Sequence, residues 1–259
     1  MPPTSTRQRR QEFPEPSSIV AFPWLGGATL LPPLTGQPSC LILPPGHSAM
    51  RSFTKAQRQA IERDLRRLVE GEVLFDEISR VLYASSACIY EIPPLGVVLP
   101  RHAKDVVAVM RYAHERDIPV IPRGAASGVA GQAIGWGLVL DFTKHMNRLL
   151  KVHPRENFVQ VQPGLVLERL NEALRPYGKF FPPDPSSGRF CTLGGMIATN
   201  AAGIHSLKYG TTKDYVLGLD VVLANGERVW LADEGDPLFQ RLTGTHPQVA
   251  SLVEGLRHL

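Results

Sequence analysis

The first sustained pattern in the chain is helical. In "TKAQRQAIERDLRRLVEG" (54–71) apolar Ile61, Leu65, Leu68 and Val69 recur at helical spacing against a polar face carrying Arg63, Arg66 and Arg67. The spacing predicts an amphipathic helix capped by Thr54 and stopped at Gly71, with the arginines on its solvated face. "GVVLP" (96–100) and "IPVIP" (118–122) read as apolar strands flanking the helix "AKDVVAVMRYAHERD", where Val106, Val109, Met110 and Ala113 share one face. Strand, helix and strand in that order predict a β-α-β unit. "GLVLDF" (137–142) and "FVQVQP" (158–163) continue as strands. "VLERLNEALRPYG" (166–178) is a helix with Leu167, Leu170 and Leu174 inward and Gly178 at its end. "LGLDVVLANGERVWL" (217–231) reads as a hairpin, its Asn225-Gly226 pair supplying the positive φ angles of a two-residue turn. The fold class is α+β, with two lobes of about 96–150 and 151–232 and a break near a loop at 143–157.

Composition narrows the function classes. The 259 residues are 43% apolar and 20% charged with a net charge of +4, ordinary values for a globular protein with a real core. Basic residues are not interleaved with aromatic platforms, which argues against a nucleic-acid partner. Cys40, Cys88 and Cys191 lie far apart and form no metal or disulfide pattern, so a reducing cytoplasm is the expected compartment. No apolar run has the length of a transmembrane segment, and membrane attachment is expected only through a partner. Residues 1–50 are proline-rich and aperiodic and read as a disordered or loosely attached segment. Residues 51–95 read as a helical lead-in, 96–232 as the main domain, and 233–259 as the start of a truncated C-terminal region.

Three stretches of small residues are the candidate chemistry: "PRGAASGVAG" (122–131), "PPDPSSGRFCTLGGMIATNAAG" (182–203) and "YGTT" (209–212). They match neither G-x-x-x-x-G-K-[ST], nor G-x-G-x-x-G, nor G-x-S-x-G. Successive backbone N–H groups in such loops can form a concave anion nest, because no Cβ blocks the approach. A dinucleotide pyrophosphate suits that nest, with the hydroxyls of Ser127, Ser186, Ser187 and Thr192 as further donors. The alternative is that these glycines only permit tight turns and close packing.

The order R-G-A-x-[ST]-G-x-x-G, P-D-P-S-S, T-[LI]-G-G-x-[IV]-A-x-N-A-x-G and K-Y-G resembles the FAD-binding domain of the vanillyl-alcohol oxidase/p-cresol methylhydroxylase superfamily. It is most similar to the 2-hydroxy-acid branch, with the glycolate oxidase FAD subunit, D-lactate dehydrogenase and the FAD/iron–sulfur fusion dehydrogenases. The likeness covers roughly 54–232 and extends to "FDEISRVLYASSACIYEIPPLGVVLPRHAKDVVAVM". It implies a two-lobed FAD-binding domain of the p-cresol methylhydroxylase type. The loop of Pro122, Arg123, Gly124, Ala125, Ala126, Ser127, Gly128, Val129, Ala130 and Gly131 would wrap the FAD pyrophosphate through its backbone. Asp184, Pro185, Ser186 and Ser187, with Thr192, Leu193, Gly194, Gly195, Ala198, Thr199, Asn200 and Gly203, would run along the ribityl chain and flavin. Tyr209 and Gly210 would be adjacent to the cofactor, and Val221 and Val222 would lie beside its adenine end.

Two departures from the family pattern matter. Ala126 stands where relatives carry glycine, and a methyl group at positive φ costs about 1–2 kcal/mol. Ser127 stands where covalently flavinylated members carry histidine, which implies non-covalent FAD. His205, in "AAGIHSLKYG", is either an active-site group at the flavin edge or a satisfied loop residue. Lys208 is either structural or cofactor-adjacent, and Asp184 either pins its loop or contacts the ligand. No metal site is expected. In this branch a cap domain supplies the histidine and arginine that handle the hydroxy acid, and fusion members add iron–sulfur segments. The expectation is the FAD-binding part of an enzyme oxidising a 2-hydroxy acid such as D-lactate or glycolate to the 2-oxo acid. The alternatives are a non-catalytic flavin subunit completed by a separate cap or iron–sulfur chain, and an inactive gene fragment.

Overall fold

In a computed structural model of the chain, residues 19–21, 53–155 and 157–232 are described. Helix α1 (Lys55–Leu68) forms where its apolar stripe predicts, and Thr54 and Gln57 close a reciprocal capping box at its start. Its end differs from the sequence expectation. Val69 is already extended, so Gly71 does not stop the helix. Gly71 instead lets the chain pass close to the backbone at Leu99, since a Cβ there would lie 2.2 Å from the Leu99 carbonyl oxygen.

The lead-in is not purely helical. Beyond α1 it supplies β2 (Glu72–Leu74) and a short α2 (Glu77–Leu82), which Asp76 caps. β2 pairs antiparallel with β3 (Gly96–Leu99), at the edge of a four-stranded sheet ordered β2-β3-β5-β4. β5 (Leu138–Asp141) lies between β3 and β4 (Val120–Arg123), parallel to both. β3 and β5 are buried along their whole length, which is why they read as unbroken apolar runs rather than alternating ones. Helix α3 (Ala103–His114) joins β3 to β4, and its face of Val106, Val109, Met110 and Ala113 meets Ile61 and Leu65 of α1 over the sheet. Fully burying a side chain such as Leu65 contributes about 1.5–3 kcal/mol.

A second core follows. The span expected to be a loop at 143–157 contains β6 (Leu149–His153), paired antiparallel with β7 (Phe158–Val161). Its alternation is broken by a register shift between Leu149 and Lys151, which hid the strand. Behind this hairpin pack α4 (Leu167–Leu174) and the short α5 (Leu193–Ala198), through Leu167, Leu170, Leu174, Leu193 and Met196. Gly178 takes a left-handed φ of 64° after the helical turn that extends α4.

A single turn, α6 (Ser206–Tyr209), precedes the final hairpin of β8 (Gly218–Val222) and β9 (Arg228–Ala232). The hairpin turn is longer than predicted. Only Gly226 has positive φ; its N–H donates to Leu223 C=O, and Leu223 N–H donates to Glu227 C=O. This is a type I turn closed by a glycine bulge, the next commonest hairpin after the two-residue form. Ile19–Ala21, β1, runs parallel to β8 on its other side, a strand in a region expected to have none. The rest of 1–50 and the region 233–259 lie outside the described residues.

Candidate cofactor site

The "PRGAASGVAG" loop leaves the carboxyl end of β4, where parallel sheets present their ligand crevices. Its backbone is largely unpaired. Among the described residues, the N–H groups of Gly124 to Val129 and of Gly131 find no protein acceptor, and that of Ala130 reaches Gln132 Oε1 at 3.2 Å. All of these residues are exposed or half-buried. A run of solvent-facing N–H groups without competing side chains is what an anionic pyrophosphate requires. Ala126 does adopt the left-handed conformation, with φ 54°.

The second small-residue segment meets this loop. A Cβ on Gly124 would fall 2.1 Å from Thr192 Oγ1, so the Thr192 side chain packs directly on the Gly124 backbone, as only glycine permits. Thr192 is buried and caps α5, accepting from Gly195 N–H at 3.4 Å. In that cap the hydroxyl acts as acceptor, which leaves its own O–H, the donor expected for the ligand, uncommitted. The first turn of α5 is likewise satisfied internally: Leu193 N–H reaches Leu165 C=O, and Gly194 N–H reaches Pro163 C=O, each at 2.8 Å. Ala198 and Thr199 end that helix, with Thr199 bonded back to Gly195 C=O. Asn200 takes φ 45°, and its side chain accepts from Lys213 N–H at 2.9 Å.

Arg123 does not face the loop's N–H groups. Its guanidinium donates to the carbonyls of Tyr83 and Ala133 at 3.2 Å and of Ser85 at 2.9 Å, and stacks 5.0 Å from the Tyr83 ring. Burial lowers the Arg123 pKa, and the register partner Asp141 opposes that shift. Burial also raises the Tyr83 phenol, reinforced by its hydrogen bond to Asp141 Oδ2 at 2.5 Å. Asp141 itself is buried and accepts from Thr143 N–H and Oγ1, each at 2.7 Å. Tyr83 and Asp141 escaped the sequence reading because neither lies in a glycine-rich stretch.

Asp184 and His205 come together. Asp184 accepts from His205 N–H at 3.3 Å and pairs through its other oxygen with His205 Nδ1, and the His205 ring holds the Asp184 carboxyl below the usual aspartate range. Both readings of Asp184 thus keep a physical basis: it pins the loop, and it orients a histidine whose Nε2 has no protein partner among the described residues. The pair borders a cleft of about 550 Å³ formed with Asn171, Phe180, Pro185, Ser186, Arg189 and Tyr209. Lys208 Nζ lies 5.0 Å from the Tyr209 ring.

Other predicted positions are taken up by packing. In the "YGTT" segment Thr212 is buried, with Oγ1 on Ala201 C=O at 2.7 Å, while Tyr209, Gly210 and Thr211 stay half-buried. Val221 and Val222 are buried in the core, so any contact of theirs with a ligand would be through backbone. Among the described residues no cluster of histidine, cysteine or carboxylate groups could hold a metal, and no helix is long and apolar enough to cross a membrane.

The unpaired loop, its left-handed residue and its tight seat on Thr192 fit FAD as the bound group. The sequence model of the FAD binding domain matches residues 94–232. D-2-hydroxyglutarate dehydrogenase of Escherichia coli (strain K12) is 40% identical over 160 residues, covering 61% of this chain and 16% of that protein. Glycolate oxidase subunit GlcD of Bacillus subtilis (strain 168) is 38% identical over 164 residues, covering 61% of this chain and 35% of that one. Among solved structures, alkyldihydroxyacetonephosphate synthase superposes with a TM-score of 0.59 at 25% identity, over 69% of this chain and 35% of that chain. The chain therefore spans well under half the length of the relatives it matches. With more than half of its own length matched, the chain belongs to the FAD binding domain family, and its fold is that of the vanillyl-alcohol oxidase/p-cresol methylhydroxylase flavoproteins.

Proposed function

We propose that the chain is the FAD-binding part of an oxidoreductase that converts a 2-hydroxy acid to the 2-oxo acid. The observation that carries this reading is the run of unpartnered N–H groups from Gly124 to Val129, seated against Thr192 in a domain of the FAD family. The named relatives act on D-2-hydroxyglutarate and glycolate, which share a hydroxyl on the carbon next to a carboxylate. Their oxidation breaks the α-carbon–hydrogen and oxygen–hydrogen bonds and forms a carbonyl. Bound FAD supplies the acceptor for the hydride equivalent.

The chain's own residues bind and orient. The loop N–H groups receive the pyrophosphate, and Ser127 offers no imidazole for covalent attachment, so the flavin is dissociable. Asp184 holds His205 in one orientation, with Nε2 free to hold a proton at the cleft. Groups that grip the substrate carboxylate belong to a further domain or a separate chain. Full exposure of Leu207 and strong exposure of Ile204 and Phe190 beside the cleft favour this reading, because a bare flavin carrier would gain nothing from showing them to water.

The test is anaerobic addition of D-2-hydroxyglutarate, D-lactate or glycolate to the FAD-loaded chain, alone and with a candidate partner chain. Bleaching of the flavin band by one of these acids, but not by its 2-oxo product, supports the proposal. A loaded chain that no 2-hydroxy acid bleaches under either condition refutes the substrate class.

A further inference from the structure

The FAD family match begins at residue 94, yet several contacts on the pyrophosphate loop come from before it. Tyr83, Ser85 and Ala87 form a strap across the loop. Arg123 reaches back to the carbonyls of Tyr83 and Ser85, and Ala87 N–H donates to Ala126 C=O at 3.0 Å. Tyr83 Oη is anchored on buried Asp141, the β5 residue in register with Arg123. Further along the strap, the Tyr90 ring lies 3.2 Å from where a Cβ on Gly131 would stand, at the far end of the loop. The strap thus touches the loop at Arg123, at left-handed Ala126 and at its last glycine.

Resting on the FAD reading above, we propose that this strap, and not the charge of Arg123, sets the shape in which the loop receives the pyrophosphate, with Tyr83 and Arg123 as positioning residues. The physical reason is that a loop of small residues has little packing of its own. Six consecutive N–H groups can converge on one anion only if something outside the loop holds them. Arg123 is poorly placed to be a phosphate ligand, because its guanidinium already serves two strap carbonyls, of Tyr83 and Ser85, and the Ala133 carbonyl beyond the loop. Removing the Tyr83 hydroxyl leaves the buried Asp141 carboxylate short of a donor and releases the strap at its root.

The experiment measures FAD dissociation constants for the full chain and for Tyr83→Phe, Arg123→Lys and Arg123→Gln, at low and moderate salt, well below the unfolding temperature of each variant. Tyr112→Phe serves as the control. Its hydroxyl makes a similar bond to Asp64 at 2.8 Å, away from the loop, and its loss should lower stability without moving FAD affinity. Tyr83→Phe and Arg123→Gln should each weaken FAD roughly tenfold, the scale of one charge-assisted hydrogen bond. Arg123→Lys should recover part of the loss, and the salt dependence of binding should match the parent chain in every variant. Affinity unchanged within twofold in Tyr83→Phe, or equal loss in Tyr112→Phe, overturns the strap. A flattened salt dependence in Arg123→Gln also overturns it, by placing the guanidinium on the pyrophosphate. A parent chain that binds no FAD removes the functional reading and the strap together.

Discussion

Ala126→Gly removes a methyl group from a residue whose φ is 54°, in the middle of the loop assigned to the FAD pyrophosphate. An L-residue pays about 1–2 kcal/mol for that left-handed conformation. Glycine relieves this strain but leaves the unfolded chain freer, an entropic loss of about 0.4–1 kcal/mol. The difference favours the variant by about 0.5–1 kcal/mol, and the Ala87–Ala126 backbone bond survives because it uses only main-chain atoms. For a domain of this size that corresponds to a rise in unfolding midpoint of about 1–4 °C. Ala125→Gly is the matched control. Ala125 is exposed and has no positive φ, so glycine there brings only the entropic loss and should lower the midpoint by a similar amount. The assay is thermal unfolding of both variants by far-UV circular dichroism, with FAD titration in parallel. Opposite signs at neighbouring alanines support the loop conformation. If both variants lose stability equally, the left-handed assignment is wrong, and the shape proposed for the anion nest is wrong with it.

Gly124→Ala should destabilise the chain by about 1–3 kcal/mol through the clash with Thr192 Oγ1 and abolish FAD binding. Thr192→Ala alone should lose about 1 kcal/mol of helix cap, and the double variant should lose less than the sum, a non-additivity readable in a denaturant double-mutant cycle. Arg228→Ala should cost about 3 kcal/mol in urea denaturation at neutral pH, because it strands buried Asp220, to which Arg228 Nε donates at 2.8 Å. Burial already raises the Asp220 pKa, so this loss should shrink as pH falls and the carboxyl takes up a proton; a loss that grows in acid would refute the assignment. Asp184 has the opposite sign. Its pKa is lowered by the His205 hydrogen bond, so its contribution is present above the ordinary aspartate range and is lost as pH falls through the lowered value. His205→Ala should move the Asp184 carboxyl-carbon NMR titration upward, and an unmoved midpoint would break the proposed pair.

The parts of the fold carried by local pattern were legible in the sequence. The α1 cap at Thr54, the inward leucines of α4 and the apolar strands β3 and β5 all follow from periodicity and propensity. What escaped was set by long-range approach. Gly71 resembles a helix stop but serves a strand crossing at Leu99, and β6 was obscured by its own register shift. The same division holds at the site. Small residues announced where the backbone would be bare, and the positive φ at Ala126 was foreseeable from a glycine pattern carrying an alanine. The sequence could not say which groups hold that bare backbone in place. Tyr83 and Asp141 lie far apart in the chain and meet only when β5 enters the sheet beside β4. Nor could it show that Thr192 caps α5, because a hydroxyl in a stretch of small residues reads as readily as a ligand donor.

The central claim is that this loop receives FAD. Its most direct test is the visible spectrum of the purified 259-residue chain after incubation with excess FAD and desalting, compared with the Gly124→Ala variant. The account predicts flavin bands that remain with the parent chain, leave on denaturation and are missing from the variant. A parent chain that stays folded by circular dichroism yet emerges colourless would contradict it.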